Sequence, residues 1–399
     1  MMPMPQTLSR RQALASSLLA PGAAMLSALS GCQPAPQEVA PSEKKWAFVG
    51  TYTRSGSKGI YRVSYDVETG RMDAPELAAA TPGPSFLALH PNKRFLYAVN
   101  ELSEFQGEPG GSVTAFALDA QMGRLQEINA MASRGDGPCH LLVAPKGNAL
   151  VAANYGGGST VSYRLLEDGS LSSPVSLIQH KGSGPNQNRQ KEPHAHGVCF
   201  SSVGQQTLVH VADLGTDQIY HYQLANDATL TPWETQPSVA VKPGAGPRHV
   251  IKHPSRPLAY SINELDSTIT VFSIDATTGA WTPVEHTSTL PEDFDGTSYT
   301  AEIELHPNGN VIYASNRGSD TLAVLALDSS SPKLRHIGFV TTEGEIPRSF
   351  AVEPTGRWVF VANQKSGSVG SFRVHAATGL LQFTGESVSI ETPVCVVFV

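Results

Sequence analysis

Charge is scarce in this chain. Only 16% of its 399 residues are Asp, Glu, Lys or Arg, and the formal net charge is -7. A balance so modest and slightly acidic argues against a nucleic-acid face and against a basic membrane-binding surface. Cysteine is scarcer still, with four residues, Cys32, Cys139, Cys199 and Cys395. They form no C-x-x-C or C-x-x-C-H spacing, which disfavours a thiolate metal cluster and covalently attached haem. The last three are odd in number and lie in strand contexts, so they read as buried free thiols, with one disulfide left open by an oxidising compartment. No G-x-S-x-G elbow is present, so a serine nucleophile has no local support. The apolar stretch Ala13 to Leu29 is too short and too rich in small residues to be a membrane span.

That stretch instead follows Ser9-Arg10-Arg11-Gln12-Ala13-Leu14, a twin-arginine pattern, and leads into Leu29-Ser30-Gly31-Cys32, a lipobox-like sequence. Residues 1–31 are therefore expected to be a twin-arginine signal peptide, with cleavage before Cys32 and acylation of its thiol. The expected location is the periplasm, with lipid anchoring to a cell-envelope membrane; a plain signal peptide cut elsewhere is the alternative. Residues 32–45, Pro-rich and polar, read as a flexible tether.

From residue 46 to 399 one phrase recurs about every 50 residues. A Pro-led apolar strand is followed by a turn, a second apolar strand ending in Asn or Asp, and a third strand closed by Gly. Copies open at Pro84, Pro138, Pro193, Pro247, Thr300 and Pro347, and their second strands end at Asn100, Asn154, Asp213, Asn263, Asn316 and Asn363. The seventh copy is split between Pro393–Val399 and the strands beginning at Trp46 and Gly59. The reading is an all-β, seven-bladed β-propeller whose C-terminal strand pairs with the N-terminal strands, closing the ring and removing exposed edges. An open sandwich of similar strands explains the complementary half-repeats poorly.

In a propeller the first strand of each blade lines the channel and runs antiparallel to the second, so the start of strand one and the end of strand two share a face. This places Cys139, His140, His194, His196, Arg248, His249, Glu302 and Arg348 beside Glu101, Asn154, Glu264 and Arg317 on one rim. The recurrent Asn and Asp read first as turn caps. Residues that differ between blades, namely Arg248, Arg317, Arg348, Glu264, Glu302, His194 and His196, are the better candidates for chemistry. Arginine forks suit an anion or oxyanion, and Glu or His can activate water, which together suit hydrolysis of an ester-like bond. His194-x-His196 could give two metal ligands, but nothing in its repeat completes a set, so no metal and no cofactor is expected. The turns on the opposite face, such as His90-Pro91-Asn92 and His306-Pro307-Asn308-Gly309, read as structure. The polar insertion Lys181 to Glu192 reads as a mobile loop, with a substrate lid as the lesser reading.

Gly137-Pro138-Cys139-His140-Leu141, Ala153-Asn154-Tyr155-Gly156, Pro193-His194-Ala195-His196, Gly246-Pro247-Arg248-His249, Asn263-Glu264-Leu265, Ser315-Asn316-Arg317-Gly318 and Ile346-Pro347-Arg348-Ser349 touch five blades. Together they resemble the seven-bladed lactonase family, which includes bacterial 6-phosphogluconolactonases and fungal carboxy-muconate lactonising enzymes. The resemblance implies a lactone hydrolase without a metal, acting on a small-molecule sugar-acid lactone. Glu264, Arg248 and Arg317 match the glutamate and two arginines of the muconate enzymes, and His194 or His140 matches their histidine. On this reading Glu264, His194, His196 and Arg317 are catalytic, while Arg248, Arg348, His140, His249, Glu302 and Asn154 bind substrate. A binding propeller without turnover and a lactonising isomerase are the alternatives. An export signal fits poorly with a cytoplasmic phosphorylated substrate, whereas an aldonolactone or a lactone with a free carboxylate fits both the signal and the arginines.

Overall fold

The structure is a computed structural model that describes residues 44–399. The expected signal peptide, the acylated Cys32 and all of the expected tether except Lys44 and Lys45 lie outside the described residues; those two lysines begin the first strand, Lys44–Thr51.

Short strands of Val, Ile, Leu, Ala and aromatic residues, separated by Gly and Asp turns, favour antiparallel sheets over helices. They form seven blades, each a sheet of four successive strands, such as Pro138–Val143, Ala149–Asn154, Ser159–Leu165 and Leu171–Gln179. In the blade led by Ala195–Val203, the outer edge is shared by two short strands, Leu230–Pro232 and Ser238–Ala240. The blade led by Leu87–Leu89 carries an extra hairpin, Glu104–Phe105 with Glu108–Pro109. As expected, the seventh blade is a composite, in which the last strand, Pro393–Phe398, pairs with Lys44–Thr51 through Ala47↔Phe398, Phe48↔Val397 and Val49↔Val396.

The core lies between blades rather than within them. Seven apolar clusters each join two neighbouring blades; Val49, Tyr65, Phe360 and Phe398 fill one, and Tyr97, Val99, Leu150 and Tyr163 another. On the face away from the rim, histidines of the recurring turns staple one blade to the next. His90, His253 and His306 each place Nε2 about a hydrogen bond away from a carbonyl of the following blade, Gly147, Gly309 and Gly356, at 3.0, 3.0 and 2.9 Å.

One irregularity recurs at the channel end of the inner strands. In every blade but the one led by Leu87–Leu89, the inner strand slips against its partner just after its first residue or, in the strand Tyr299–Leu305, its second. Pro247 faces Asn263 and His249 faces Ile262, so Arg248 is the extra residue of a β-bulge. Cys139, His196 and Arg348 are the extra residues of their own blades. The chain enters the bulges at Cys139, Arg248 and Arg348 through left-handed backbone, at Gly137 and Gly246 without penalty and at Ile346, φ 59, with one. A β-branched residue there is strained, and the Asp320 carboxylate holds it by accepting its N–H at 2.9 Å.

The closing strand buries Val394, Cys395, Val396 and Phe398 almost completely. At about 1.5–3 kcal/mol per buried apolar side chain, its loss removes as much as the whole net stability of an ordinary domain, about 5–15 kcal/mol. Truncation before Pro393 is therefore expected to abolish cooperative thermal unfolding and give aggregated protein on size-exclusion chromatography; a monomer with an unchanged melting temperature would contradict this closure.

Candidate active site

A cavity of about 280 Å³ opens on the rim, lined by Glu101, Cys139, Tyr155, Arg189, His196, Glu264, Tyr299, Arg317 and Arg348. A larger groove, about 910 Å³, runs over the outer loops past Lys146 and Gln206, but no carboxylate or arginine lines it. Convergence of ionisable groups, not size, singles out the smaller cavity.

Glu264 stands at the end of a second strand, Leu258–Asn263, and is 4% exposed. Its Oε1 accepts from Arg189 Nη2 at 2.6 Å, and its Oε2 forms an ion pair with Arg317 Nη2 at 2.8 Å. Arg248 Nε lies 3.3 Å from Oε2 but is not aligned to donate to it. Burial pushes the Glu264 carboxyl upward, yet Arg317, Arg248 and Arg189 together overcome it and hold the group at about 2. Burial lowers Arg317 to about 10, against the pull of Glu264. Arg317 also donates to the Thr300 carbonyl at 2.7 Å, and Arg248 Nη1 to that of Ala301 at 2.6 Å.

Arg348 differs from these three. It has neither a hydrogen bond nor an ion pair among the described residues; its guanidinium carbon lies 5.4 Å from the centre of the Tyr52 ring. The Tyr52 hydroxyl in turn points at both oxygens of Glu101, at 3.2 and 3.1 Å. Burial, reinforced by Glu101, pushes Tyr52 to about 12, so it remains a donor.

The histidines divide. His196 lines the cavity, with Nδ1 3.6 Å from Cys139 Sγ, and burial with the nearby Arg248 drives it well below the usual range, so it is neutral. His194 precedes its strand, Ala195–Val203, and sits behind the cavity wall: it stacks on Tyr155 at 4.5 Å and its Nδ1 donates to the Tyr155 carbonyl at 3.0 Å. His140, His249 and Glu302 are not on the rim. They line a second cavity of about 410 Å³ that runs toward Lys252 and His306 at the opposite strand ends. There His249 Nδ1 lies 2.7 Å from Glu302 Oε1, His140 Nδ1 accepts the Val198 N–H at 3.2 Å, and burial lifts Glu302 to about 7. The single expected rim is thus two sites, back to back. The bulge is the reason: the extra residue turns to one cavity and, in two of the blades, the residue after it, His140 or His249, turns to the other.

Asn154 is not brought to the cavity. Its amide nitrogen is spent on the Ser133 carbonyl at 3.2 Å and the Ser159 hydroxyl at 3.0 Å. Asn100, Asn316 and Asn363 likewise donate to Thr81, Thr289 and Thr342, each just past the outer strand of the preceding blade, and Asn263 donates to Thr268 of its own blade. These are scaffold bonds, as the repetition itself suggested.

Three lining residues were not singled out in the sequence: Glu101, Tyr155 and Tyr299. Arg189 was weighed only within a loop read first as mobile. That loop is built into the site. Gln190, fully buried, donates to the Leu214 carbonyl and to Asp217 at 2.8 Å each, while Arg189 beside it reaches Tyr155 Oη at 3.0 Å as well as Glu264. Cys139, Cys199 and Cys395 are buried and unpaired. Among the described residues no group of three His, Cys, Asp or Glu is placed to hold a metal ion.

Residues 46–398 match the family model for the seven-bladed β-propeller lactonases, and the chain belongs to that family. It is 34% identical over 351 residues to a protein of Bacillus subtilis (strain 168) named 6-phosphogluconolactonase, spanning 88% of this chain and 97% of that one. It is 30% identical over 340 residues to a 6-phosphogluconolactonase of Formosa agariphila, spanning 84% and 94%. Among solved structures, the periplasmic gluconolactonase of Pseudomonas aeruginosa superposes with a TM-score of 0.83 at 31% identity, over 90% of this chain and 99% of the other.

The Glu264 cluster carries a measurable consequence. Its folded-state value of about 2 lies below the ordinary glutamate value of 4.5, so its contribution is complete above pH 4.5 and disappears as the pH falls toward 2. Glu264→Gln is expected to cost about 3–5 kcal/mol at pH 7, the usual penalty for breaking a buried ion cluster. The gap from wild type should shrink in chemical denaturation at pH 3; an equal gap at both pH values would refute the assignment.

Proposed function

We propose that this protein hydrolyses sugar-acid lactones of the gluconolactone type, after export by the twin-arginine route and acylation at Cys32. The observation that carries the reading is the rim cavity, where three guanidiniums, Arg189, Arg317 and Arg348, meet two carboxylates, Glu101 and Glu264, with Arg248 buried against Glu264 outside the cavity lining. A surplus of fixed positive charge in a buried pocket favours a polar ligand that is anionic or becomes so during reaction. Lactone opening is such a reaction: attack of water on the carbonyl creates an oxyanion, and the product is a carboxylate.

The residues divide the work. Arg348, which has no hydrogen bond or ion pair among the described residues and lies over the Tyr52 ring, offers its donors to the oxyanion. Arg317 and Arg189, locked by Glu264, position the sugar-acid hydroxyls. Glu264 itself serves the arginines rather than the water: a carboxylate held near 2 by three cations is a poor proton acceptor at neutral pH. Names carried by relatives point the same way, 6-phosphogluconolactonase for the Bacillus protein and periplasmic gluconolactonase for the Pseudomonas one. The twin-arginine and lipobox sequences favour the unphosphorylated lactone, since sugar phosphates belong to the cytoplasm.

The test is turnover of gluconolactone and 6-phosphogluconolactone by the chain from Cys32 onward, with Arg348→Met alongside. Hydrolysis of gluconolactone that falls at least 100-fold in kcat/KM in Arg348→Met is the expected result, a loss of about 2.7 kcal/mol in transition-state stabilisation. Preference for the phosphorylated lactone would move the substrate, and no turnover of either would leave a binding propeller.

A further inference from the structure

Among the polar groups that line the rim cavity, one carboxylate has a setting unlike the rest. Asn100-Glu101 and Asn263-Glu264 occupy the same place in their repeats, just after the second strand, in blades three places apart around the ring. Glu264 has both oxygens taken by guanidiniums. Glu101 is half-buried, and its one hydrogen-bond donor among the described side chains is the Tyr52 hydroxyl, shared between its two oxygens at 3.1 and 3.2 Å. A single neutral donor fixes the orientation of a carboxylate while leaving lone pairs on both oxygens directed elsewhere.

We propose, resting on the lactonase reading above, that Glu101 is the catalytic base of this site. It takes a proton from water as the water oxygen bonds to the lactone carbonyl carbon and the carbonyl π pair moves to oxygen, where Arg348 holds it. The oxyanion then re-forms the carbonyl, the bond from carbon to ring oxygen breaks, and the departing oxygen takes the proton from Glu101. Water and lactone become one hydroxy acid, and Glu101 is regenerated. The competing groups are worse placed. Both oxygens of Glu264 are occupied, and His194 stands behind Tyr155. His196 sits with Nδ1 against Cys139, and its ring contacts Tyr155 and His249. Glu302 faces the other cavity. Arg348 reaches over the same Tyr52 ring that holds Glu101, so the Tyr52 side chain ties the base and the oxyanion donor into one unit.

Glu101→Gln keeps the shape and the bond from Tyr52 and is expected to lower kcat at least 100-fold with KM within threefold, the span general-base catalysis supplies. Glu101→Ala opens room for a small acid, and added formate is expected to restore at least a tenth of the lost rate, which a structural role would not do. A Glu101→Gln enzyme within threefold of wild-type kcat, or a Glu101→Ala enzyme indifferent to formate, overturns the assignment. Arg348→Met, measured in parallel, separates the two levels. If wild type turns over and Arg348→Met does not, while Glu101→Gln matches wild type, only the role of Glu101 falls; if wild type hydrolyses no lactone, both readings fall.

Discussion

A bulge of one residue, placed just inside the channel mouth, governs the chemistry of this ring. An inner strand with an unbroken pleat sends alternate side chains to the two sides of the sheet, and a ring of such strands would line the channel evenly. Because Cys139, His196, Arg248 and Arg348 are extra residues, each is turned out of the pleat at the same height. The bulge therefore makes a floor of blade-specific side chains across the channel, and divides it into two cavities with different chemistry.

Above that floor the electrostatics are organised by Glu264. Three arginines crowded into one buried pocket would repel one another and pay heavily for desolvation. One carboxylate among them offsets both costs and pairs directly with Arg189 and Arg317, while Arg248 is held by the Ala301 carbonyl. Arg189 extends the network into the Lys181–Glu192 loop, and Gln190 anchors that loop to Leu214 and Asp217. Ion cluster, loop and floor are thus one construction.

How much of this was legible in the sequence follows from what repeats. The blade count, the split seventh blade and the structural role of the recurring Asn were readable because periodicity separates scaffold from exception. Arg248, Arg317, Arg348 and Glu264 were readable because they break the repeat. The bulge was not, since a one-residue slip leaves no trace in an apolar pattern, and so His140, His249 and Glu302 were expected beside residues from which the floor separates them. Glu101 was placed on the rim but not singled out there, for a different reason. It shares its Asn-Glu signature with Glu264, and only the three-dimensional surroundings, one phenol against three guanidiniums, tell the two apart.

The same contrast bears on how a site built for oxyanions lets go of its product. Hydrolysis turns a neutral ester into a carboxylate in a pocket rich in cations, and at about 4 Å with an effective dielectric near 20 each unit charge interacts by about 4 kcal/mol. Guanidiniums alone would hold that product more tightly than the substrate and slow turnover. On the proposed mechanism Glu101, again a carboxylate once the leaving oxygen has taken its proton, opposes the new charge at the moment it forms. Glu264 meanwhile has already neutralised part of Arg317 and Arg189. The two glutamates thus act on opposite sides of the same balance, one setting the donors in place before the reaction and the other weakening their hold after it.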